Sequence, residues 1–337
     1  MSAPPLTKFA RSPRRSGESQ DRRTELVLGV LACGVLALVA GMVIFVFAKA
    51  WPSFSHNGLK WFGPGGDVGA QLQAIFNSPA DPANYVYLLR AWPLIYATIL
   101  VTASSVALAL AFAVLSAIFI VEFAPNRLRR ILEPTVRLLA AVPSVIYGLI
   151  GVLVLVPLVG NHLITRAQKE SVIFVVQLTG NSLLVAVIVL TIMITPIMIA
   201  IIVDALRSVP NGWKEGAAAL GVNRWRVMWT IVVRSARPAI IAAAVLATAR
   251  ALGEAIMLAM VAGSVAFSPN PLDGPTFFLE PIQPLASTIV INAEGLTVVP
   301  FGQTLYAFAA VLLVSAAGLS LCGYAAKQPL KRYGIRA

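Results

Sequence analysis

Six apolar stretches, each about as long as a lipid bilayer is thick, limit what this chain can fold into. A helical membrane span needs about 20 consecutive apolar residues. Six segments meet that length: 26–48, 94–121, 138–159, 182–203, 239–265 and 304–326. Since 58% of the residues are hydrophobic and only 12% are charged, the composition excludes a soluble domain. The sequence therefore predicts an all-α membrane protein with six transmembrane helices.

The basic residues indicate how these spans are oriented. The net charge of +12 could suggest nucleic-acid binding, but 20 of the 26 Lys and Arg residues fall on the side that carries both termini. Cytoplasmic loops are enriched in basic residues, so we expect a multi-pass protein of the inner or plasma membrane with both termini in the cytoplasm and no nucleic-acid partner. The expected divisions are a disordered basic tail (1–25), a transmembrane domain (26–326) and a cytoplasmic tail (327–337).

A long external segment, 49–91, follows the first span. Aromatic residues near its start, Trp51, Trp61 and Phe62, are typical of the membrane–water interface. Docking of an external partner is the alternative interpretation.

The cytoplasmic loop 204–237 interrupts the apolar pattern at the centre of the chain. Pro210 and Gly212 end the incoming helix, and the Ala-rich run that follows predicts a short helix from 213 to 220, stopped at Gly221. Asn223 is the expected N-cap of a second helix. In that helix Trp225, Trp229 and Val232 form a predicted apolar stripe. Basic residues occupy the remaining surface: Arg224, Arg226, Arg234 and Arg237. Two alternatives remain: an ordinary basic loop, or a plug for a partner protein.

The order of residues in this loop resembles the EAA loop of ABC-importer permeases. Glu215-Gly216-Ala217 is followed by Gly221 and, ten positions later, by Ile231. Two departures are Gly216, where the family pattern has Ala, and Val233-Arg234, where it has Leu-Pro. The resemblance implies that Glu215, Gly216, Ala217 and Gly221, with Arg224 and Trp225 beside them, dock into an ATPase subunit.

Polar residues inside two predicted spans mark a second region of interest. Pro143 and Ser144 lie in the third span, where a proline is tolerated only if protein or a cavity satisfies the freed carbonyl. This would be a packing kink or part of a translocation pathway. Arg250 lies near the middle of the fifth span, and such an arginine must face protein or water and have a partner. Glu254, one turn further along the same face, is the expected partner. The pair would be structural, or it would line a route for an anion that the arginine fork can bind.

The stretch 249–255, Ala-Arg-Ala-Leu-Gly-Glu-Ala, resembles the G-R-A-L-G-E-x motif of permeases from phosphate-specific ABC importers. The stretches 93–98, 141–148 and 205–221 are similar to the same family, and the long external segment resembles its PstC-type subunit. The resemblance implies the six-span type I importer fold and a role for Arg250 and Glu254 in phosphate translocation. It also places Thr98, Pro143 and Ser144 in the substrate pathway.

The chain contains no G-x-x-x-x-G-K-[ST] nucleotide loop, so an ATP-driven process would need another subunit to hydrolyse ATP. The resemblance supplies a PstA-type permease, two ATPase subunits that bind ATP and Mg, and an external phosphate-binding protein. We therefore expect a transport permease without cofactor or metal in this chain. Alternatives are a permease for sulfate or molybdate, or a secondary anion transporter. A membrane-embedded enzyme is a further alternative, although the chain lacks a catalytic constellation for it.

Overall fold

The computed structural model describes residues 15–171, 176–266 and 268–331. These ranges form helices and turns with one isolated bridge and no β-strand, which confirms the all-α prediction. The helices are α1 Arg15–Asn57, α2 Val68–Phe76, α3 Trp92–Ile118, α4 Asn126–Ala140, α5 Ser144–Ile150, α6 Val156–Leu158, α7 Arg166–Ser171, α8 Leu183–Arg207, α9 Asn211–Ala219, α10 Arg224–Val227, α11 Val233–Leu252, α12 Ile256–Val261, α13 Leu285–Ile291 and α14 Phe301–Lys331.

Within the described ranges, six helical segments are long and apolar enough to cross a membrane, as predicted. They are Arg22–Phe62, Trp92–Phe123, Ser144–Leu163, Leu183–Arg207, Arg224–Leu252 and Phe301–Ala325. Turns of π-helix extend or join several of them, at Phe119–Phe123, Gly151–Leu155, Val159–Leu163 and Met228–Val232.

The chain divides into two compact units, residues 1–48 and 49–337. The described part of the first unit is the amino-terminal portion of α1. Between Leu26 and Phe47 most of its large apolar side chains are exposed, including Val30 at 70% and Leu36 at 68%, as suits a lipid-facing span. The helix begins at Arg15, so part of the stretch expected to be a disordered tail is helical, since a nucleated helix propagates at little cost. Residues 1–14 and 332–337 of the two expected tails lie outside the described residues.

In the second unit α8 is the central helix. In its most apolar stretch 67% of the residues are buried, against at most 28% in the other five spans. It packs against α3, α11 and α4, and Ser105 of α3 donates a hydrogen bond across the pair to the Val187 carbonyl, 3.2 Å away. Helices without polar faces pack closely in lipid through such contacts. Helices α3, α4 and α11 are therefore arranged around α8.

Two predicted spans are wrong at their boundaries. The third begins at Ser144, because α4 is a separate helix and Pro143 stands before the first helical residue, where its missing N–H costs little. Pro143 therefore does not kink a helix at membrane depth. The fifth predicted span is not continuous, because α11 ends at Leu252 and Gly253 precedes the short helix α12. The membrane face at which α4, α9 and α10 lie is called the basic face below.

The layer at the opposite face is ordered by its own core. Trp61 is fully buried, and its ring packs on Phe54 and on Phe308 of α14. The Asn57 side chain joins the layer by accepting a hydrogen bond from the Leu89 N–H at 3.0 Å. Trp61 is therefore a core residue of this layer, and neither of the two interpretations of the external aromatics describes it. Trp51 is 68% exposed, as an interface residue would be.

Candidate functional site

The loop between α8 and α11 folds into two short helices, α9 and α10, with Gly221 in the turn between them. After α9 the Gly221 N–H bonds to the Ala218 carbonyl (2.9 Å) and the Val222 N–H to the Ala217 carbonyl (3.2 Å). This is the Schellman pattern, and it needs a residue at positive φ after the helix. Gly221 has φ +76°, which a side chain would strain even though nothing lies within 4 Å of its Cβ position. The predicted stop at Gly221 is confirmed.

The second short helix begins as predicted and buries a different face. The Asn223 side chain accepts a hydrogen bond from the Arg226 N–H at 2.8 Å, which confirms the N-cap. Trp225 and Trp229 are 51% and 39% exposed, whereas Val227, Met228 and Val232 are buried. Trp225 and Trp229 lie side by side as predicted, with ring centroids 5.7 Å apart, but Val232 does not continue their stripe, because a π-helical turn at Met228–Val232 shifts the helical phase.

The residues predicted to contact a partner are mostly exposed on this element. Glu215, Gly216 and Arg224 are exposed, and Leu220 at the tip is 84% exposed. Ala217 is 8% exposed and packs in the protein core, so its role is to seat α9. An exposed leucine and tryptophans beside charged side chains form the kind of surface that packs into a groove of another protein.

The part of the predicted fifth span that holds Arg250 and Glu254 differs from the prediction. Arg250 lies in the last turn of α11, while Glu254 lies beyond Gly253 and outside that helix. The Glu254 carboxylate accepts a hydrogen bond from the Met257 N–H, 3.2 Å away, and so caps α12. In the described part of the chain the two side chains form no ion pair with each other. The expected Arg250–Glu254 pair is wrong, because the helix on which their spacing depended ends between them.

Arg250 is left without a counter-charge from Glu254. Its Nε is buried and has no hydrogen-bond partner among the described residues, while its charge acts on the nearby Tyr147 hydroxyl. Arg250 as a whole is half-buried, and a guanidinium inside a membrane span is costly unless an anion or water satisfies it. The α11–α12 break can therefore offer fork-like donors to an oxyanion.

Among the described residues, no hydrogen bond or ion pair links the other predicted pathway residues to this arginine. Thr98 is 6% exposed; its hydroxyl donates to the Leu94 carbonyl at 2.7 Å and accepts from the Leu285 N–H at 2.9 Å. It thus caps α13, a role that its place in an apolar span did not signal. Pro143 is exposed and Ser144 half-buried at the start of α5. Further along α5, Gly148 packs against Met257 of α12.

Sequence reasoning also missed residues at the basic face. Arg207 forms a bidentate ion pair with Glu133, and Arg137 lies 3.3 Å from Asp204. Glu133 and Asp204 are acidic residues in segments rich in arginine, and this contrast in the sequence would have been the signal for both pairs. Within the described residues, no group of three or more His, Cys, Asp or Glu side chains is placed to hold a metal ion.

Comparison with known proteins finds transport permeases among the relatives of this chain. Residues 109–326 match the family described as binding-protein-dependent transport system inner membrane component. The probable ABC transporter permease protein YqgH of Bacillus subtilis is 34% identical over 78% of this chain and 80% of its own length. The phosphate transport system permease protein PstC of Haemophilus influenzae is 30% identical over 77% of this chain and 79% of its own length. The probable PstC of Methanocaldococcus jannaschii is 34% identical over 65% and 67%.

A solved structure supports the same architecture. A chain of a bacterial alginate ABC transporter, crystallised with an alginate-bound periplasmic protein, superposes with a TM-score of 0.56. The match covers 92% of this chain and 97% of that one at 14% identity, a level at which the likeness concerns the fold alone. The expected ABC-permease fold is confirmed by this superposition and by the family match.

Proposed function

The chain belongs to the family of binding-protein-dependent transport system inner membrane components, and from this we propose that it is the phosphate-conducting permease subunit of an ATP-driven importer. The observation that carries the proposal is its identity of 30% or more, over most of its length, to proteins described as phosphate transport permeases. It is a multi-pass membrane component of a transport system and not an enzyme. Sulfate and molybdate permeases, named above as alternatives, have no comparable support here.

In this proposal, partner subunits supply the energy for transport by hydrolysing ATP. α9 and α10 dock into one of the two ATPase subunits, which bind ATP and Mg, and this chain carries no cofactor of its own. Support comes from Leu220, which is 84% exposed, and from Trp225, which stays half-exposed although its ring lies beside those of Phe123 and Trp229. The complex is completed by a PstA-type permease and an external phosphate-binding protein. The basic face is then cytoplasmic, as are both termini.

Phosphate passes Arg250 on its way through the membrane. The argument rests on its buried Nε and on the use of the Glu254 carboxylate to cap α12, which leaves the arginine fork for an anion. Glu254 shapes this point of the route by fixing the start of α12. The negative charge of the same carboxylate also weakens anion binding, which favours release over retention. Thr98, Pro143 and Ser144 act through the helices that they start or cap.

Reconstitution in liposomes tests the proposal. With the partner permease, the ATPase and a phosphate-binding protein present, ATP turnover should rise when the binding protein carries phosphate and stay at its basal rate when sulfate is supplied. Uphill accumulation of phosphate by the purified chain alone would contradict the division of labour. Stimulation by sulfate, equal to that by phosphate, would contradict the assignment of substrate.

A further inference from the structure

α4 is an amphipathic helix that covers little of the protein and keeps much apolar surface exposed. None of its residues is fully buried, and only Leu132 and Val136 pack against the core. Four large apolar side chains are exposed instead: Leu128 at 37%, Ile131 at 64%, Leu138 at 70% and Leu139 at 44%. A helix that lies at the end of a span with an exposed apolar face is suited to the boundary between headgroups and acyl chains.

A strip of arginines runs beside this apolar face. Arg127, Arg130 and Arg137 are three and seven residues apart, spacings that bring side chains to one side of a helix. All three are exposed. The strip adjoins the exposed face because Ile131 lies four residues, about one turn, after Arg127, and Leu138 lies seven residues after Ile131 on the same side. Apolar and basic surface therefore meet along one edge of α4.

Part of this strip lines a cavity of about 420 Å³ between α4 and the end of α8. Its lining residues are Arg129, Arg130, Glu133, Pro134, Arg137 and Arg207. Four guanidinium groups thus surround a space that holds one carboxylate. A cavity with this excess of positive charge attracts an anion that has several acceptor oxygens.

The four arginines differ in how far their charge is already compensated. Glu133 neutralises Arg207, and Asp204 lies 3.3 Å from Arg137. Arg129 donates to two backbone carbonyls, Ile120 at 2.9 Å and Val121 at 2.6 Å, which satisfy its hydrogen bonds without cancelling its charge. No ion pair or hydrogen bond links the Arg130 side chain to another described residue. The cavity therefore keeps positive charge on Arg129 and Arg130, with two ion pairs holding its walls in place.

We propose that this cavity binds the phosphate headgroup of an anionic phospholipid whose acyl chains lie along the exposed face of α4. A free phosphate ion would use the guanidinium groups and leave Ile131 and Leu138 in water. A lipid satisfies both features at once, since its charge and its apolar chains are joined at the same depth as those of α4. The inference concerns lipid binding and stands whether or not the transported solute is phosphate.

Native mass spectrometry of the purified full chain tests this site directly. With equal amounts of phosphatidylglycerol and phosphatidylcholine of the same chain length, the wild type should retain the anionic lipid preferentially. Arg130→Gln/Arg137→Gln, which removes two of the positive charges that line the cavity, should lower that preference about 25-fold, since each arginine near an anionic surface contributes about a fivefold change. Arg234→Gln/Arg237→Gln is the matched control, because both residues are exposed near the basic face and neither lines the cavity.

The control variant should retain phosphatidylglycerol as the wild type does. Equal losses in the two double variants would overturn the proposal in favour of general electrostatic attraction, and an unchanged preference in Arg130→Gln/Arg137→Gln would overturn it outright. Displacement of the lipid by millimolar inorganic phosphate would assign the cavity to a small anion and overturn it too. A photo-crosslinker at Ile131, in membranes containing the assembled complex, should form lipid adducts; adducts to another protein would show that a subunit covers this face.

Discussion

At the scale of single residues, the arginines of this chain differ in what compensates their charge. Arg207 shares a bidentate ion pair with Glu133, and Arg129 is held by two backbone carbonyls. Arg250 has a buried Nε without a partner among the described residues. Arg250 as a whole is half-buried, and an arginine inside a membrane span without a counter-charge is unfavourable, which favours a use in binding an anion.

Replacing Arg250 tests that use. Arg250→Gln should reduce phosphate uptake by the reconstituted complex to background, because the amide is uncharged and cannot donate the paired hydrogen bonds of a guanidinium. Arg250→Lys, which keeps the charge and loses the fork, should retain intermediate uptake. Copurification of the partner subunits with both variants shows that the complex still assembles. Wild-type uptake by Arg250→Gln would reduce the residue to a structural role.

The Glu133–Arg207 pair makes stability depend on pH. The hydrogen bond from Arg207 lowers the pKa of Glu133 below its ordinary value of 4.5. Because the pKa is lowered in the folded state, the stabilisation is present above the unfolded-state value and is lost as pH falls through the folded-state value. The melting temperature of the wild type should therefore fall more between about pH 5 and pH 3 than that of Glu133→Gln.

The control for this measurement is Glu25→Gln, since Glu25 is exposed on α1. Its melting temperature should follow pH as the wild type does. If Glu133→Gln and the wild type lost stability in parallel below pH 5, the pair would contribute nothing to folding.

At the scale of elements, α9 and α10 form a unit whose shape is set by one residue, Gly221. Its positive φ closes the Schellman turn, which fixes where Leu220 points and where Asn223 can cap the next helix. Gly216, five residues earlier, is an ordinary exposed helical position, and no atom lies within 4 Å of the place that a Cβ would occupy there. Two exposed glycines of the same element thus have different physical roles.

Substitution at these two glycines separates the roles. Gly221→Asp should release or uncouple the ATPase, because a side chain at this positive φ costs about 1–2 kcal/mol and reorients α9 against α10. Gly216→Ala should leave coupling intact and stabilise α9 by about 1 kcal/mol. Copurification shows whether the ATPase still binds each variant, and the rate of ATP hydrolysis shows whether it is still coupled. Undisturbed binding and turnover in Gly221→Asp would refute the docking assignment.

The element scale also shows which features could be predicted from sequence. Gly221 and Asn223 were identified correctly, since helix ends depend on neighbouring residues and local backbone chemistry. The break after Leu252 and the start of α5 at Ser144 were missed, because apolar residues continue through both points and hydropathy registers no change. The Thr98 cap on α13 joins residues 187 positions apart, a contact that only the tertiary fold creates.

At the scale of the whole molecule, one span separates the layer around Trp61 from α4, and two spans separate α4 from α9 and α10. The three helices therefore belong to one membrane face and the layer to the other. The residue types follow this division, because the arginines of α4 and α10 lie at the first face and the buried aromatic core at the second. Such asymmetry is what the insertion machinery reads when it orients a membrane protein.

Cysteine labelling tests the orientation. With Cys33 and Cys322 replaced by serine, Ala80→Cys should react with a membrane-impermeant maleimide in intact cells, since Ala80 is exposed in the layer opposite α4. Asn126→Cys, exposed at the start of α4, should react only after the membrane is opened. The reverse pattern would place the termini outside the cytoplasm and contradict the proposed docking of an ATPase at the basic face.

The helical run Arg224–Leu252 connects the two-helix unit to Arg250, since it begins within that unit and ends two residues past Arg250. Its 29 residues span roughly 43 Å at 1.5 Å per residue. Because the run is one helical segment, nucleotide-driven movement of its first turn would shift the guanidinium in the same stroke. The timing of anion release would then be set by rigid-body mechanics, with no relay of intervening side chains.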